Sequence, residues 1–182
     1  MMRRNVTCAA LALLVGALAC PAHAGPADTP LPTFSDSKTA VKVYTAVGVI
    51  KNNGLETAFF CTNLDSAPQD IGVEVFDETG ARRNAINAGN NGAILNVGPG
   101  QTRTITTGHT AELHEDASIT LDLGVGNTTD NLRNGSGRVV ATSKNISCTA
   151  VLVDKFHSIC DPNLPCNLPP PTIANLPLFP VP

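Results

Sequence analysis

Hydrophobic and polar residues alternate with a period of two along most of the chain between residues 38 and 157. This alternation is typical of β-strands that bury one face and expose the other. The side chains predicted to face the core are Val41, Val43, Val47 and Val49, then Ile71, Val73 and Val75, then Ile119, Leu121 and Leu123, and finally Ile146, Cys148, Ala150 and Leu152. In the second of these runs, the alternation predicts that Gly72 and Glu74 face solvent.

Turn-forming residues separate the alternating runs. The runs read VKVYTAVGV, TAFFCTN, DIGVEVFDE, AILNV, TRTITT, SITLDLG, GRVVATS and ISCTAVLV, which predicts about eight strands. Turns are predicted at Asn52-Asn53-Gly54, Glu78-Thr79-Gly80, Gly98-Pro99-Gly100 and Asn134-Gly135. Short strands at this spacing predict an all-β fold, an antiparallel two-sheet sandwich. Periodicity alone does not distinguish this sandwich from a closed barrel.

Residues 1–24 have the three parts of a secretory signal peptide. Two arginines precede a short apolar run, and the final AHA is a small-x-small cleavage site. The apolar run is too short to span a bilayer, so cleavage after Ala24 is predicted. The alternative is lipoprotein processing with a lipid anchor on Cys20. Alanine at position 17, where a lipobox usually has leucine, favours cleavage after Ala24.

The mature chain divides into three predicted parts. Residues 25–37 form an N-terminal extension, residues 38–157 form the β-sandwich domain, and residues 158–182 form a proline-rich tail with a small cysteine loop. Eight prolines lie in residues 162–182, against two in residues 33–161. Because proline has no backbone N–H to donate, the tail is predicted to lie outside the sheet.

Charge restricts the classes of partner. The chain has 12 basic and 15 acidic side chains, and loss of the two leader arginines leaves 10 basic ones and a net charge of −5. Nucleic-acid binding and a polybasic membrane-surface patch both require clustered Lys and Arg, which this sequence lacks. The predicted partner is an unidentified protein or envelope component, and no transmembrane segment is predicted after leader cleavage.

Four cysteines remain in the mature chain, namely Cys61, Cys148, Cys160 and Cys166. An even number of cysteines in an exported chain indicates disulfide bonds. Cys61 and Cys148 occupy core-facing positions of two strands, which favours a bridge between these strands. Cys160 and Cys166 flank the turn DPNLP, which favours a second, local bridge. The alternative, a zinc site, usually has two close sulfur pairs, and Cys61 and Cys148 each lack a close partner.

Candidate chemistry is concentrated in one segment, GHTAELHEDAS. It contains the potential metal ligands or acid–base groups His109, Glu112, His114, Glu115 and Asp116. Because no other histidine-rich element completes a coordination sphere, a solvated polar connection between strands is predicted. Methionine occurs only in the leader, which argues against a blue-copper site. No catalytic residue, cofactor or metal site is therefore predicted.

Several strand sequences together resemble a known family. TAFFCTNL, VEVFDETG, LNVGPGQTRTITT and VATSKNISCTAVLV are similar to immunoglobulin-like modules of bacterial exported proteins. The resemblance spans residues 40–154 and includes a Pro-Gly turn, Pro99-Gly100, before a threonine-rich strand. It implies an immunoglobulin-like sandwich, and a shared fold does not by itself imply a shared function.

Export signal, cysteines and composition together predict a class of function. The chain is expected to be an exported, non-enzymatic β-sandwich module, periplasmic or extracellular, with a binding or structural role. The alternative is a small metal-binding protein or metal-dependent enzyme that uses the loop containing His109, Glu112 and His114. Metal analysis of the protein distinguishes the two.

Overall fold

The computed structural model of the protein describes residues 25–110, 113–122, 130–155 and 173–182. Its elements are α1 (Gly25–Asp28), β1 (Val41–Asn52), β2 (Leu55–Asn63), β3 (Gln69–Phe76), β4 (Ala93–Val97), β5 (Thr102–Thr106), β6 (Ala117–Ser118), β7 (Leu132–Ala141), β8 (Ile146–Asp154), β9 (Ile173–Leu176) and β10 (Leu178–Pro180). The all-β class is therefore confirmed. Across the described residues, no helix has the length and apolar character needed to cross a membrane.

The ten strands form one hydrogen-bonded network that contains two runs of five strands. The first run has the order β4–β3–β7–β1–β10, and the second has the order β6–β5–β2–β8–β9. The runs are joined at the β1–β2 hairpin, where Lys51 lies opposite Glu56. Among the described strands, only β5 and β6 pair in parallel. Mostly antiparallel pairing is confirmed, and the strand number is ten rather than about eight.

Two of the predicted turns join neighbouring strands and have the backbone conformations that their residues favour. The β1–β2 hairpin turns at Asn53 and Gly54, whose φ angles of 49° and 91° are those of a type I′ turn. Between β4 and β5, the N–H of Gln101 donates to the C=O of Gly98, and Gly100 has φ 71°. This geometry needs glycine at the third position of the turn, which is where the sequence supplies it.

The turn predicted at Asn134-Gly135 is absent, because both residues lie inside β7. A Cβ placed on Gly135 would lie 2.5 Å from Leu132 Cδ2 and 2.9 Å from the carbonyl oxygen of Phe76. Gly135 therefore allows β3 to approach β7 closely, and the chain continues as a strand at this position instead of turning.

β1 does not keep the strict alternation that its valines predict. Its buried residues are Val43, Ala46 and Val49, and Val47 is 64% exposed. The pairing of β1 with β7 shifts register three times along the strand. A bulge inserts one extra residue into a strand. The alternating set of residues that faces the core therefore changes after each bulge. The prediction that Val47 faces the core is therefore wrong.

One apolar cluster forms the main core and draws on both runs of strands. It contains residues of β1, β2, β3, β4, β5, β7, β8 and β9. Ile119 and Leu121, which follow β6, are buried in it as predicted, although they lie beyond the two-residue strand itself. Leu123 lies outside the described residues. Both runs thus pack on a common core.

β3 is buried along its whole length. One face meets the main core, and the other meets a second apolar cluster, which consists of Phe34, Ala40, Ile86, Ala93 and Val140. A Cβ on Gly72 would lie 3.0 Å from Ile86 and 3.3 Å from Phe34. The prediction that Gly72 and Glu74 face solvent is therefore wrong. The N-terminal segment and the residues after β3 cover the face on which they lie.

A buried arginine holds the N-terminal segment against the sheet. Arg138 in β7 donates hydrogen bonds to the carbonyl oxygens of Thr29 at 2.6 Å, Pro30 at 3.1 Å and Pro26 at 3.3 Å. It also donates through Nε and Nη2 to Glu74 Oε2, and neither side chain is more than 1% exposed. The predicted N-terminal extension thus packs on the sheet around a buried ion pair.

The last residues of the chain belong to the sheet. β9 pairs with β8, and β10 pairs with β1, both antiparallel. Pro177 lies between the two strands, where the chain passes from one run to the other. Pro180 ends an edge strand, where a missing N–H is tolerated. The prediction that the tail lies outside the sheet is therefore wrong for residues 173–180.

Truncation after residue 172 is expected to lower the melting temperature by more than about 5 °C. It removes β9 and β10 and takes the core residue Leu176, which is 7% exposed, out of the main cluster. Loss of a buried leucine side chain alone costs about 2–5 kcal/mol. Thermal unfolding followed by circular dichroism measures the change. In the full chain, Leu176→Ala should reproduce part of the loss and Asn175→Ala, at an exposed position, should not.

The predicted disulfide between Cys61 and Cys148 is present. The two cysteines lie directly opposite each other in β2 and β8, with a Cα–Cα distance of 4.2 Å. Cys61 is fully buried and Cys148 is half-buried. The bridge therefore joins neighbouring strands of one run and links positions 87 residues apart in sequence. Cys160 and Cys166 lie outside the described residues.

The turn after β3 is organised by one carboxylate. Burial of Asp77 acts to raise its pKa, but hydrogen bonds from the Thr79 side chain and from the N–H groups of Ala81 and Thr79, with the charge of Arg83, together lower that pKa below its ordinary value. The N–H of Gly25 donates to Gly80 in the same turn at 3.2 Å. The ionised carboxylate thus orders the turn on which α1 rests.

Asp77→Asn is expected to destabilise the protein at pH 7 and to destabilise it less near pH 3. A carboxyl whose pKa is lowered by folding contributes stability above its unfolded pKa of about 3.9, and this contribution is lost as the pH falls through the folded pKa. Urea unfolding of the protein and the variant at both pH values measures the difference. Glu78→Gln, in the same turn and exposed, is the matched control. An equal loss at pH 7 and pH 3 would contradict the linkage.

Candidate functional site

A groove lies between β4, at one end of the first run, and β6, at the end of the second. Its volume is about 810 Å³. The residues that line it, here called the edge groove, are Gly89, Asn90, Asn91, Ala93, Ile94, Leu95, His109, Glu115, Asp116, Ala117, Ser118 and Thr120. Each of the two strands pairs on one side only within the described part of the chain. The groove therefore separates two sheet edges.

The wall formed by β4 presents backbone groups and apolar side chains. The N–H of Val73 in β3 donates to Gly92, and Ile71 lies opposite Ile94. Because peptide groups alternate in direction along a strand, Ile94 turns its N–H and C=O toward β3, and Leu95 turns its own toward the groove. Ile94 and Leu95 are half-buried, with their side chains packed on the two different apolar clusters.

One asparagine ties the two walls together at one end. Asn91 donates through Nδ2 to the C=O of Thr120 at 2.7 Å and accepts from its N–H at 2.8 Å. The amide side chain thus pairs with Thr120 as a strand backbone would. Gly92 has φ 78°, and a Cβ there would lie 2.8 Å from Ile119 Cγ1. This end of the groove is therefore closed by the bonds between Asn91 and Thr120 and by the packing of Ile119 on Gly92.

The opposite wall carries a carboxylate that is held by its own loop. Glu115 Oε1 accepts hydrogen bonds from the N–H of Thr110 at 2.7 Å and from its hydroxyl at 2.8 Å. Glu115 Oε2 lies 3.9 Å from His109 Nδ1, which is beyond hydrogen-bond distance. The side chain of Glu115 is 11% exposed, and that of His109 is 85% exposed. One face of this carboxylate therefore remains available to the groove.

The neighbouring carboxylate is already compensated. Asp116 Oδ1 accepts from Arg103 at 3.0 Å, and Asp116 Oδ2 accepts from the N–H of Thr104 at 2.8 Å. His114 Nδ1 lies 4.0 Å from Asp116 Oδ1 and its side chain is 89% exposed. Asp116 thus secures the segment before β6 to β5, and the negative charge that faces the groove is that of Glu115.

The structure divides the predicted candidate loop into two pairs. His109 approaches Glu115, and His114 approaches Asp116, while Glu112 lies outside the described residues. Among the described residues, no three His, Cys, Asp or Glu side chains are grouped closely enough to hold a metal ion. The loop contributes His109, Glu115 and Asp116 to the edge groove.

The other half of the edge groove was missed by the sequence reasoning. Asn90, Asn91 and the strand AILNV carry no recognised binding motif, and they lie about 20 residues before the candidate loop. Only the antiparallel pairing of β4 with β3 and the parallel pairing of β6 with β5 brings the two segments together. A five-residue, mostly apolar strand without charge or proline was the available signal.

No family model, curated protein or solved structure matches this chain. The resemblance to immunoglobulin-like modules therefore stays a prediction.

Proposed function

We propose that this chain is an exported, non-enzymatic binding module, an immunoglobulin-like two-sheet sandwich that recognises its partner at the edge groove. The observation that carries the proposal is the groove itself, an 810 Å³ recess between two sheet edges with apolar, amide and carboxylate groups in its walls. Binding sites characteristically combine an apolar lining with a few fixed polar groups.

The strand pairing supports the sandwich. The two runs of five strands meet at the β1–β2 hairpin and at the Pro177 corner between β9 and β10. Side chains of both runs enter one core cluster, as the inner faces of two packed sheets do. A sandwich of this kind leaves the β4 and β6 edges on its open side.

The hydrogen bonds of the groove support binding over catalysis. The side chains of Asp116, Asn91 and Glu115 are each hydrogen-bonded to backbone groups of other residues. These bonds hold the walls in a fixed shape, and a fixed shape lowers the entropic cost of binding. A general base paired with a nucleophile would need a different arrangement, in which the two side chains bond each other.

The leader sequence and the disulfide support export. Disulfides persist in oxidising compartments, and the bridge between Cys61 and Cys148 is of this structural kind. The mass of the protein recovered from the producing cell tests the processing. A chain that begins at Gly25 supports cleavage after Ala24, whereas a lipid-modified Cys20 at the N-terminus supports the lipoprotein alternative.

A photo-reactive residue in the groove tests the binding site. Benzoylphenylalanine at Ser118, in the groove, should capture one dominant partner in the native host, and the same residue at the exposed Thr149 in β8 should not. Equal yields at the two positions, or none at Ser118, would contradict a role for the edge groove.

Metal analysis tests the alternative function. The purified protein and a His109→Ala/His114→Ala variant are compared after equilibration with Zn²⁺ and removal of free metal. We expect no stoichiometric metal in either protein. Stoichiometric metal that disappears in the double variant would establish the metal-binding alternative in place of the proposal.

A further inference from the structure

We propose that the edge groove takes an extended peptide, which adds as a strand to the free edge of β4 with a basic side chain beside Glu115. This inference rests on the proposed binding function and names the chemical class of the partner. Addition of a peptide strand to a sheet edge is a general mode of recognition, in which backbone hydrogen bonds supply affinity and side-chain contacts supply specificity.

The backbone of β4 supplies the first argument. Leu95 directs its N–H and C=O into the groove, and within the described residues no strand pairs with this side of β4. Exposed edges are normally protected by charged side chains or proline, and the strand AILNV contains neither. The edge is instead recessed in a groove, where it is accessible to a single chain and shielded from a second sheet.

The length of this edge limits the paired segment. Asn96 has φ 54°, and its N–H donates to Asp70 Oδ1 in place of a ladder bond. The regular edge is therefore confined to the residues before it, Ala93 to Leu95. At the other end, the bond between Asn91 and Thr120 closes the groove. The geometry thus suits about three or four paired peptide residues.

The side chains of the groove specify the peptide further. Ile94 and Leu95 are half-buried, and an added strand would cover more of their apolar surface. Across the groove, Glu115 Oε2 has no hydrogen-bond donor within reach among its described neighbours, since His109 Nδ1 is 3.9 Å away. Asp116 is paired with Arg103, so the charge that remains unpaired in the groove is the negative charge of Glu115. A Lys or Arg in the peptide complements this charge, and a phosphorylated or acidic peptide is repelled.

Selection from a random library of displayed eight-residue peptides tests the proposal. The target is the full exported chain with its disulfide intact. The enriched peptides are expected to carry Lys or Arg at one shared position and to lack proline in the paired segment. Glu115→Gln should weaken their binding by about two- to fivefold, and Glu78→Gln, which removes an exposed charge elsewhere, should leave it unchanged.

N-methylation of the selected peptide tests strand addition itself. Methylation of the amides that face β4 should weaken binding by about tenfold or more, and methylation of the alternate amides should have little effect. Binding should also slow hydrogen exchange at the Leu95 N–H. An equal loss of affinity on methylation of either set of amides would overturn strand addition. An unchanged exchange rate at the Leu95 N–H would also overturn it.

The outcomes separate this inference from the proposed function. If no peptide is enriched while benzoylphenylalanine at Ser118 still captures one partner, the groove binds something other than an extended peptide, and this inference alone fails. If peptides are enriched but do not compete with the capture of a partner at Ser118, they bind outside the edge groove, and this inference alone fails. If benzoylphenylalanine at Ser118 captures no partner, the proposed site is wrong as well. Enrichment of acidic peptides would overturn the role assigned to Glu115.

Discussion

Replacing Cys61 and Cys148 together by alanine is expected to lower the free energy of unfolding by about 3–6 kcal/mol. The bridge links residues 87 positions apart, so its loss releases a large loop in the unfolded chain. The fully buried Cys61 also leaves a void in the core cluster. Because small domains have a total stability of about 5–15 kcal/mol, the variant should be marginally folded.

Urea unfolding monitored by circular dichroism measures this loss. A reductant should lower the stability of the parent protein to that of the double variant only once the parent has been unfolded. In the folded state Cys61 is buried and the reductant does not reach it. Cys160→Ala/Cys166→Ala is the control, because it removes the same type of side chain. The predicted bridge between these two cysteines closes only a short loop, so its loss should lower the free energy of unfolding far less. A double variant of Cys61 and Cys148 within about 1 kcal/mol of the parent would show that the bridge contributes little.

Arg138→Met is expected to destabilise the protein by about 3–5 kcal/mol. The substitution keeps most of the side-chain volume and removes the charge, which leaves Glu74 buried with only the exposed Arg82 as a partner at 3.1 Å. It also removes the donor for three carbonyl groups of the N-terminal segment. A buried charge that loses its partner is costly because the protein interior solvates it poorly.

Two further variants separate the ion pair from the docking of the N-terminal segment. Arg82→Met removes only the exposed partner of Glu74 and leaves Arg138 in place, so it should cost less than about 1 kcal/mol. Glu74→Leu with Arg138→Met removes both buried charges and should recover part of the stability lost in Arg138→Met. Limited proteolysis should cut residues 25–37 faster in both Arg138 variants. Equal stabilities for Arg138→Met and Arg82→Met would contradict the buried role of Arg138.

The sequence by itself determined the class of fold and one of its covalent bonds. Alternation with a period of two reports which side chains a strand can bury, and this depends only on local backbone geometry. It identified most strands between Val41 and Asp154, and it placed Cys61 and Cys148 on core-facing positions of their strands. The hairpin at Asn53-Gly54 could likewise be predicted from the local sequence, because these residue types readily adopt positive φ angles.

Tertiary structure decided what covers each strand. Glu74 follows the alternation of β3, but whether its face meets water depends on Arg138 and the N-terminal segment, which lie far away in sequence. Val47 became exposed because bulges shift β1 against β7, and a bulge is a property of two strands. The proline count of the tail suggested exclusion from the sheet, yet the edge beside β1 accepts a strand that ends in Pro180.

The candidate site shows the same division. The sequence singled out His109, Glu115 and Asp116 as a polar loop, since charge and residue type are local properties. It could not place Leu95 on the other side of a groove, because β4 and β6 belong to different runs and, in the part of the chain that the structure describes, do not pair with each other. A groove between two sheet edges exists only when both runs pack on their common core, and that packing is a long-range property of the whole chain.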